Sequence, residues 1–251
     1  MRLEDQRPGV LSTAQEVLLR ELATRSLAGC RPETIAAVLE SARVRTVQPG
    51  DTIYRQGEPV PVTLILRGYG FARRTTASGQ EIVSGVAPAG NLFGWSGIRG
   101  AASSVQLVAL TVCDVAQWPG AEIRALVAVD PALGLVAIDS MAGSLHETVE
   151  RIEGFLHQDA RRRVLRILAR HRDLFFSEPP ILTRAHLPGL VGTSREMTGR
   201  VLRQLEEEGT VERFGRAGLR LLRPDQLEAD DPAVRPHEPE ASERVTVRTR
   251  G

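Results

Sequence analysis

Residues 182–222 constrain this chain more than any other stretch. Leu187, Leu190 and Val191 mark a short amphipathic helix, and Gly192 closes it. Thr193-Ser194-Arg195-Glu196 reads as a capping box, with Thr193 as the cap and Glu196 reaching back. The helix that follows buries Thr198, Val201, Leu202 and Leu205, spaced i, i+3, i+4, i+7. Thr210–Phe214 and Gly218–Leu222 then flank Gly215-Arg216-Ala217 as a β-hairpin, with Arg213 and Arg216 near its tip. Two helices joined through a glycine-containing turn of this length, followed by a hairpin, spell a winged helix-turn-helix. Pro188 falls inside the first helix, where it removes a backbone bond, so that helix is expected to start late or kink.

The outer face of the second helix carries Arg195, Glu196, Gly199, Arg200 and Arg203. Arginine can bond bidentately to guanine O6 and N7, and glutamate can accept from cytosine N4. Arg195, Glu196 and Arg200 are therefore the expected base contacts, and bare Gly199 allows close approach. Thr183, Ser194, Arg203, Arg213 and Arg216 suit phosphate oxygens, which position a protein without specifying a sequence. For one helix alone, a merely solvated charged face would explain the pattern equally well. Charge distribution argues otherwise. Residues 160–223 hold 14 Arg against 7 acids, whereas the flanking segments 1–159 and 224–251 each balance at −3. A compact basic segment is the footprint of a polyanion binder.

The rest of the chain divides by texture. Residues 12–42 read as short helices, and Val44 to Trp118 as short alternating strands cut by glycine, a sandwich or roll. In residues 131–156, Ile138, Met141, Leu145, Thr148, Ile152 and Phe155 recur at spacings of 3 and 4. Such a narrow seam predicts a helix that pairs with its twin in a homodimer, the alternative being a helix lying on its own β-domain. Thr148, its one polar member, could face a ligand instead. The segments expected are a helical extension over 1–27, a β-roll over 28–130, a dimerisation helix over 131–157, a winged helix-turn-helix over 158–224 and a disordered tail over 225–251. No apolar run long enough to span a membrane and no secretory signal are visible, so a cytoplasmic location is expected.

These residues resemble a known family. Thr183-Arg184, Val191 to Glu196, Gly199 to Leu202 and Leu205-Glu206 look like the DNA-binding motif of the cyclic-AMP receptor/fumarate-nitrate regulator (Crp–Fnr) family. Pro49-Gly50-Asp51, Gln56-Gly57-Glu58, Leu66-Arg67-Gly68 and Gly90 to Gly94 resemble its cyclic-nucleotide-binding β-roll. The resemblance implies an α+β chain: a cyclic-nucleotide-binding-type β-roll, a long dimerisation helix and a C-terminal winged helix-turn-helix. It also implies a palindromic site with TGTGA-like half-sites, and double-stranded DNA, a second copy of the chain and RNA polymerase as partners.

The effector side departs from the pattern. Gly94 is followed by Trp95 where cAMP-binding members carry Glu, and Ser103-Ser104 stands where they carry Arg-Ser. Without that Arg the charge-assisted grip on phosphate is gone. The expected pocket is Gly94, Trp95, Ser103, Ser104 and Thr148, with cAMP expected to bind weakly or not at all; Trp95 would either line a hydrophobic effector site or plug an empty one. Two cysteines, Cys30 and Cys113, cannot ligate an iron–sulfur cluster. His146 or His157 could serve a haem, though a lone helical histidine is more often solvated. Cys113 reads as a packed strand residue, with a redox role as the alternative. No phosphate loop, metal cluster or nucleophile elbow points to an enzyme. A regulatory module acting through protein partners, with little DNA specificity, is the competing reading.

Overall fold

The computed structural model describes residues 11–77 and 81–228. The chain begins with α1 (Thr13–Ser26) and α2 (Pro32–Glu40). Ser12 caps α1 by accepting from the Gln15 amide, while the Gln15 side chain accepts from the Ser12 backbone, a true capping box. Pro32 opens α2 at a position where no amide partner is needed.

Eight strands follow: β1 (Arg43–Val47), β2 (Thr52–Tyr54), β3 (Val62–Arg67), β4 (Tyr69–Thr75), β5 (Glu81–Pro88), β6 (Leu92–Phe93), β7 (Gln106–Ala109) and β8 (Cys113–Trp118). They form two antiparallel four-stranded sheets, ordered β1-β8-β3-β6 and β2-β7-β4-β5. Strands β3 and β8 are buried on both faces, and alternation along them separates two cores. Val62, Leu64, Leu66, Ala116 and Trp118 face α1 and α2 and the later helices. Ile65, Cys113 and Val115 face the other sheet with Val47, Ile53 and Leu107.

After α3 (Gly120–Val129) comes α4 (Pro131–His157), capped by Asp130, whose carboxylate accepts from the Ala132 amide. One stripe of α4 lies on the roll. Leu133 and Ala137 are buried there, Ser140 donates to the Leu92 carbonyl at 3.0 Å, and Arg151 donates to the Val83 carbonyl at 3.3 Å. The opposite stripe, Leu135, Ile138, Leu145, Val149, Ile152 and Leu156, is more than half exposed throughout.

The C-terminal part comprises α5 (Ala160–Arg170), α6 (Arg172–Phe175), α7 (Leu187–Val191), α8 (Arg195–Glu207), the hairpin β9 (Val211–Phe214) and β10 (Gly218–Leu221), and α9 (Asp225–Glu228). Val164, Leu168, Phe175, Leu187, Leu205 and Leu219 form its core. Phe71 and Val83 of the roll belong to the same cluster, so roll and reader share an apolar joint. Disorder was expected from residue 225; instead α9 folds and buries Leu227 in this core, because one large apolar side chain next to an existing core is enough to anchor a turn. Residues 229–251 of that tail lie outside the described residues.

Candidate nucleic-acid interface

The helix α7 opens at Leu187, with Pro188 in its first turn, which is the late start that proline requires. Gly192 then adopts φ +67°, the left-handed conformation that reverses the chain. The capping of α8 corrects the sequence reading. Ser194, not Thr193, is the cap; its Oγ accepts from the Met197 amide at 3.0 Å. The shift of one residue places Glu196 in the first turn with its carboxylate outward, 3.1 Å from Nη2 of Arg200, instead of folded back on the cap.

Thr198, Val201, Leu202 and Leu205 are buried as their spacing requires, and the Thr198 hydroxyl donates to the Ser194 carbonyl. Arg195, Glu196, Arg200 and Arg203 consequently share the exposed face of α8. A β-carbon on Gly199 would meet nothing within 4 Å. The glycine therefore makes no close approach inside the protein, and the room it leaves is on the outer side.

The phosphate candidates fall into two groups. Arg203 and Arg216 are exposed, and Arg216 follows Gly215 (φ +54°) at the hairpin tip. That tip is fastened by Arg184, whose Nη2 donates to the Arg216 carbonyl at 2.6 Å. Arg213 and Thr183 are engaged already. Arg213 pairs with Glu206 at 2.8 Å, and the Thr183 amide donates to Nδ1 of His186 at 2.9 Å. Ser194 uses its oxygen as the cap, which leaves its hydroxyl proton available.

The expected effector residues Trp95, Ser103 and Thr148 are held in different surroundings. Gly94 (φ +86°) sits so near the Pro61 carbonyl that a β-carbon would lie 2.1 Å from its oxygen. That bend carries Trp95 into the helix-side core with Leu22, Leu64 and Trp118, so the ring plugs the core between helices and sheet. Ser103 is buried in a turn, its Oγ donating to the Val105 carbonyl, and its backbone exchanges bonds with Gly57 and Glu58. Thr148 is exposed on α4 and returns its hydroxyl to the Ser144 carbonyl at 2.8 Å.

Other candidates are placed as follows. Of the expected seam residues, Ile138, Met141, Leu145 and Ile152 are exposed on α4. Phe155 is partly diverted, with its ring against Gly192 and under the Arg163 guanidinium at 5.5 Å. His146 lies 3.2 Å from Glu150, and His157 is exposed in the last turn of α4. Cys113 is buried, and burial pushes its thiol above the usual range, away from the reactive thiolate. Among the described residues no group of His, Cys, Asp and Glu could hold a metal, and no helix is long and apolar enough to cross a membrane.

Comparison with known proteins matches this geometry. Residues 44–130 fit the family model described as cyclic nucleotide-binding domain, and residues 150–230 fit the Crp-like helix-turn-helix domain. The cAMP-activated global transcriptional regulator CRP of Salmonella typhimurium is 24% identical over 192 residues, 73% of this chain and 91% of that protein. The cAMP-activated global transcriptional regulator Vfr of Pseudomonas aeruginosa is 31% identical over 144 residues, 53% of this chain and 67% of Vfr. Among solved structures, the c-di-GMP-responsive regulator CLP of Xanthomonas campestris superposes with a TM-score of 0.64 at 23% identity, covering 77% of this chain and all of CLP. A crp/fnr-family protein from Eubacterium rectale gives 0.69 at 17% identity, covering 80% and 94%. The chain belongs to the Crp–Fnr family of transcription regulators.

Proposed function

We propose that this protein is a homodimeric transcription regulator that reads a TGTGA-like palindrome and answers to an effector other than cAMP. The observation that carries the reading is the outer face of α8, where Arg195, Glu196 and Arg200 stand together and exposed at the N-terminal end of the helix. In helix-turn-helix proteins those N-terminal residues are the ones that meet base edges in the major groove. Two arginines suited to guanine and a glutamate suited to cytosine match a TGTGA-type half-site. The Arg216-tipped hairpin supplies a phosphate contact beside it. RNA polymerase is the partner through which such a regulator would act.

The dimer reading rests on α4. Leu135, Ile138, Ala142, Leu145, Val149, Ile152 and Leu156 expose a continuous apolar stripe at the 3–4 spacing of a coiled-coil seam. A second copy of the same helix covers it and brings two reader domains onto successive major grooves.

The reading against cAMP rests on residue chemistry. CRP and Vfr are named as cAMP-activated, and the acidic and basic residues expected to hold that ligand are replaced here by Trp95 and Ser103. Fluorescence anisotropy on a TGTGA/TCACA palindrome and a scrambled duplex, at two salt concentrations and with and without cAMP, tests all three points. Selective binding indifferent to cAMP is expected. Equal affinity for both duplexes under every condition would favour the module that works through protein partners.

A further inference from the structure

A cavity of about 1160 Å³ opens where β5, α4, α5 and α7 meet. Six arginines and four carboxylates line it, a surplus of two positive charges. Arg151, from α4, spends its donors on the Val83 and Ser84 carbonyls of β5. Arg166, from α5, lies against bare backbone: a β-carbon on Gly154 would stand 2.3 Å from its Nη2. Among the described residues neither guanidinium has a carboxylate within 4.0 Å, the limit for an ion pair. Arg170 has one, Glu147, at 2.9 Å.

The cluster is uncomfortable as it stands. Burial first, then Arg170 and Arg166, lowers the proton affinity of Arg151, with Glu147 only partly offsetting them. Two buried polar atoms on the cavity wall, Nε of Arg163 and Oε1 of Gln158, have no hydrogen-bond partner. Of these only Nε of Arg163 is a donor, and a buried donor without a partner beside crowded guanidinium groups is costly unless something answers it. Arginine is the side chain best shaped to grip phosphate oxygens. The volume also suits a nucleotide-sized ligand.

We propose that this cleft binds a small phosphate-bearing anion with two or more negative charges, held by Arg166 and Arg170, with Arg151, already bonded to β5, adding positive charge behind them. The site is distinct from the interior of the roll. It joins α4 and β5 to α5, so an occupant ties the roll to the reader at their joint. Its regulatory consequence rests on the DNA-binding reading given above; the binding itself does not.

The test is calorimetric titration of the full chain with inorganic pyrophosphate and with ATP, and it involves no DNA. Saturable binding is expected at one site per chain. Arg166→Gln and Arg170→Gln are each expected to weaken it on the order of tenfold, about 1.4 kcal/mol, while Arg200→Gln on α8 leaves it unchanged. Two substitutions on one helix guard against a single variant that misfolds, and circular dichroism shows which are folded. Absence of saturable heat with both probes overturns the proposal, as does an equal loss in Arg200→Gln. Anisotropy with the palindrome, run separately, shows whether the DNA reading stands or falls on its own.

Discussion

Gly192 and Phe155 press against each other at the joint between the long helix and the reader, where a β-carbon on the glycine would lie 2.4 Å from Cε1 of the ring. The glycine also holds φ +67°, a conformation costly for residues with a side chain. Gly192→Ala therefore meets two penalties and is expected to destabilise the protein by roughly 1–3 kcal/mol. Phe155→Leu in the same chain removes the clash but not the backbone strain, so it should restore only part of the loss. Urea unfolding of the single and double variants measures both. A loss of only a few tenths in Gly192→Ala would mean that the joint is loose.

The α4 stripe gives a sharper test of assembly than the reader does. Leu145→Glu and Val149→Glu place charge in the middle of the proposed seam without touching the opposite stripe that lies on the roll. Each is expected to convert a dimer to a monomer in sedimentation at micromolar concentration and to weaken palindrome binding at least tenfold. Met141→Glu lies on the flank and should do less. A dimer that survives both central substitutions would place the interface elsewhere.

Substitutions on the reader should separate specificity from affinity. Arg195→Ala and Arg200→Ala are each expected to cost about 1–3 kcal/mol on the preferred site and to relax selection at one base pair. Glu196→Ala frees Arg200 from its 3.1 Å partner; since both groups are exposed, the lost pair itself matters little, and the effect should be broadened base preference. Arg216→Ala should weaken all sequences alike and lower the salt slope by about one. Arg213→Ala should do less, because Glu206 already holds that guanidinium at 2.8 Å. Anisotropy on duplexes substituted one base pair at a time reads all of these.

Periodicity made most of the fold legible. The apolar spacing of α8 gave its buried face, short apolar runs between turn residues gave β3 and β7, and Gly192 and Gly215 fixed two reversals. What escaped were matters of one residue or of tertiary placement. Thr193 and Ser194 are both good caps, and the sequence alone could not choose between them; the structure caps with Ser194. Phe155 fits a seam by spacing, but its neighbour Gly192 is 37 positions away and invisible to local pattern. Leu135, Ala142, Val149 and Leu156 make a 3–4 stripe with Ile138, Leu145 and Ile152, a register shifted by one residue from Met141, Thr148 and Phe155. Trp95 was placed at a pocket because of the residue it replaces, whereas the left-handed bend at Gly94 sends it into the core. The arginine cleft carries no sequence signature, since its members come from separate helices whose crossing the sequence does not state.

The same cleft sets a pH dependence. His171 follows α5, and burial, with Arg170 on its own side and Arg151 from α4, pushes its pKa down to about 4. In the unfolded chain a histidine titrates near ~6.5. Between those values the unfolded state binds the extra proton, so stability is fully present above about pH 6.5 and falls as the pH drops toward 4. The full effect is on the order of 3 kcal/mol. Asp130, held below the usual carboxylate range by the Arg31 amide and the Thr34 hydroxyl, loses its contribution only at lower pH. Urea midpoints taken from pH 7.5 down to about 4.5 should therefore decline in the native protein and decline less in His171→Gln, the remaining slope coming from His186, whose pKa burial also lowers. An unchanged slope in that variant would mean that His171 is not the group taking up the proton.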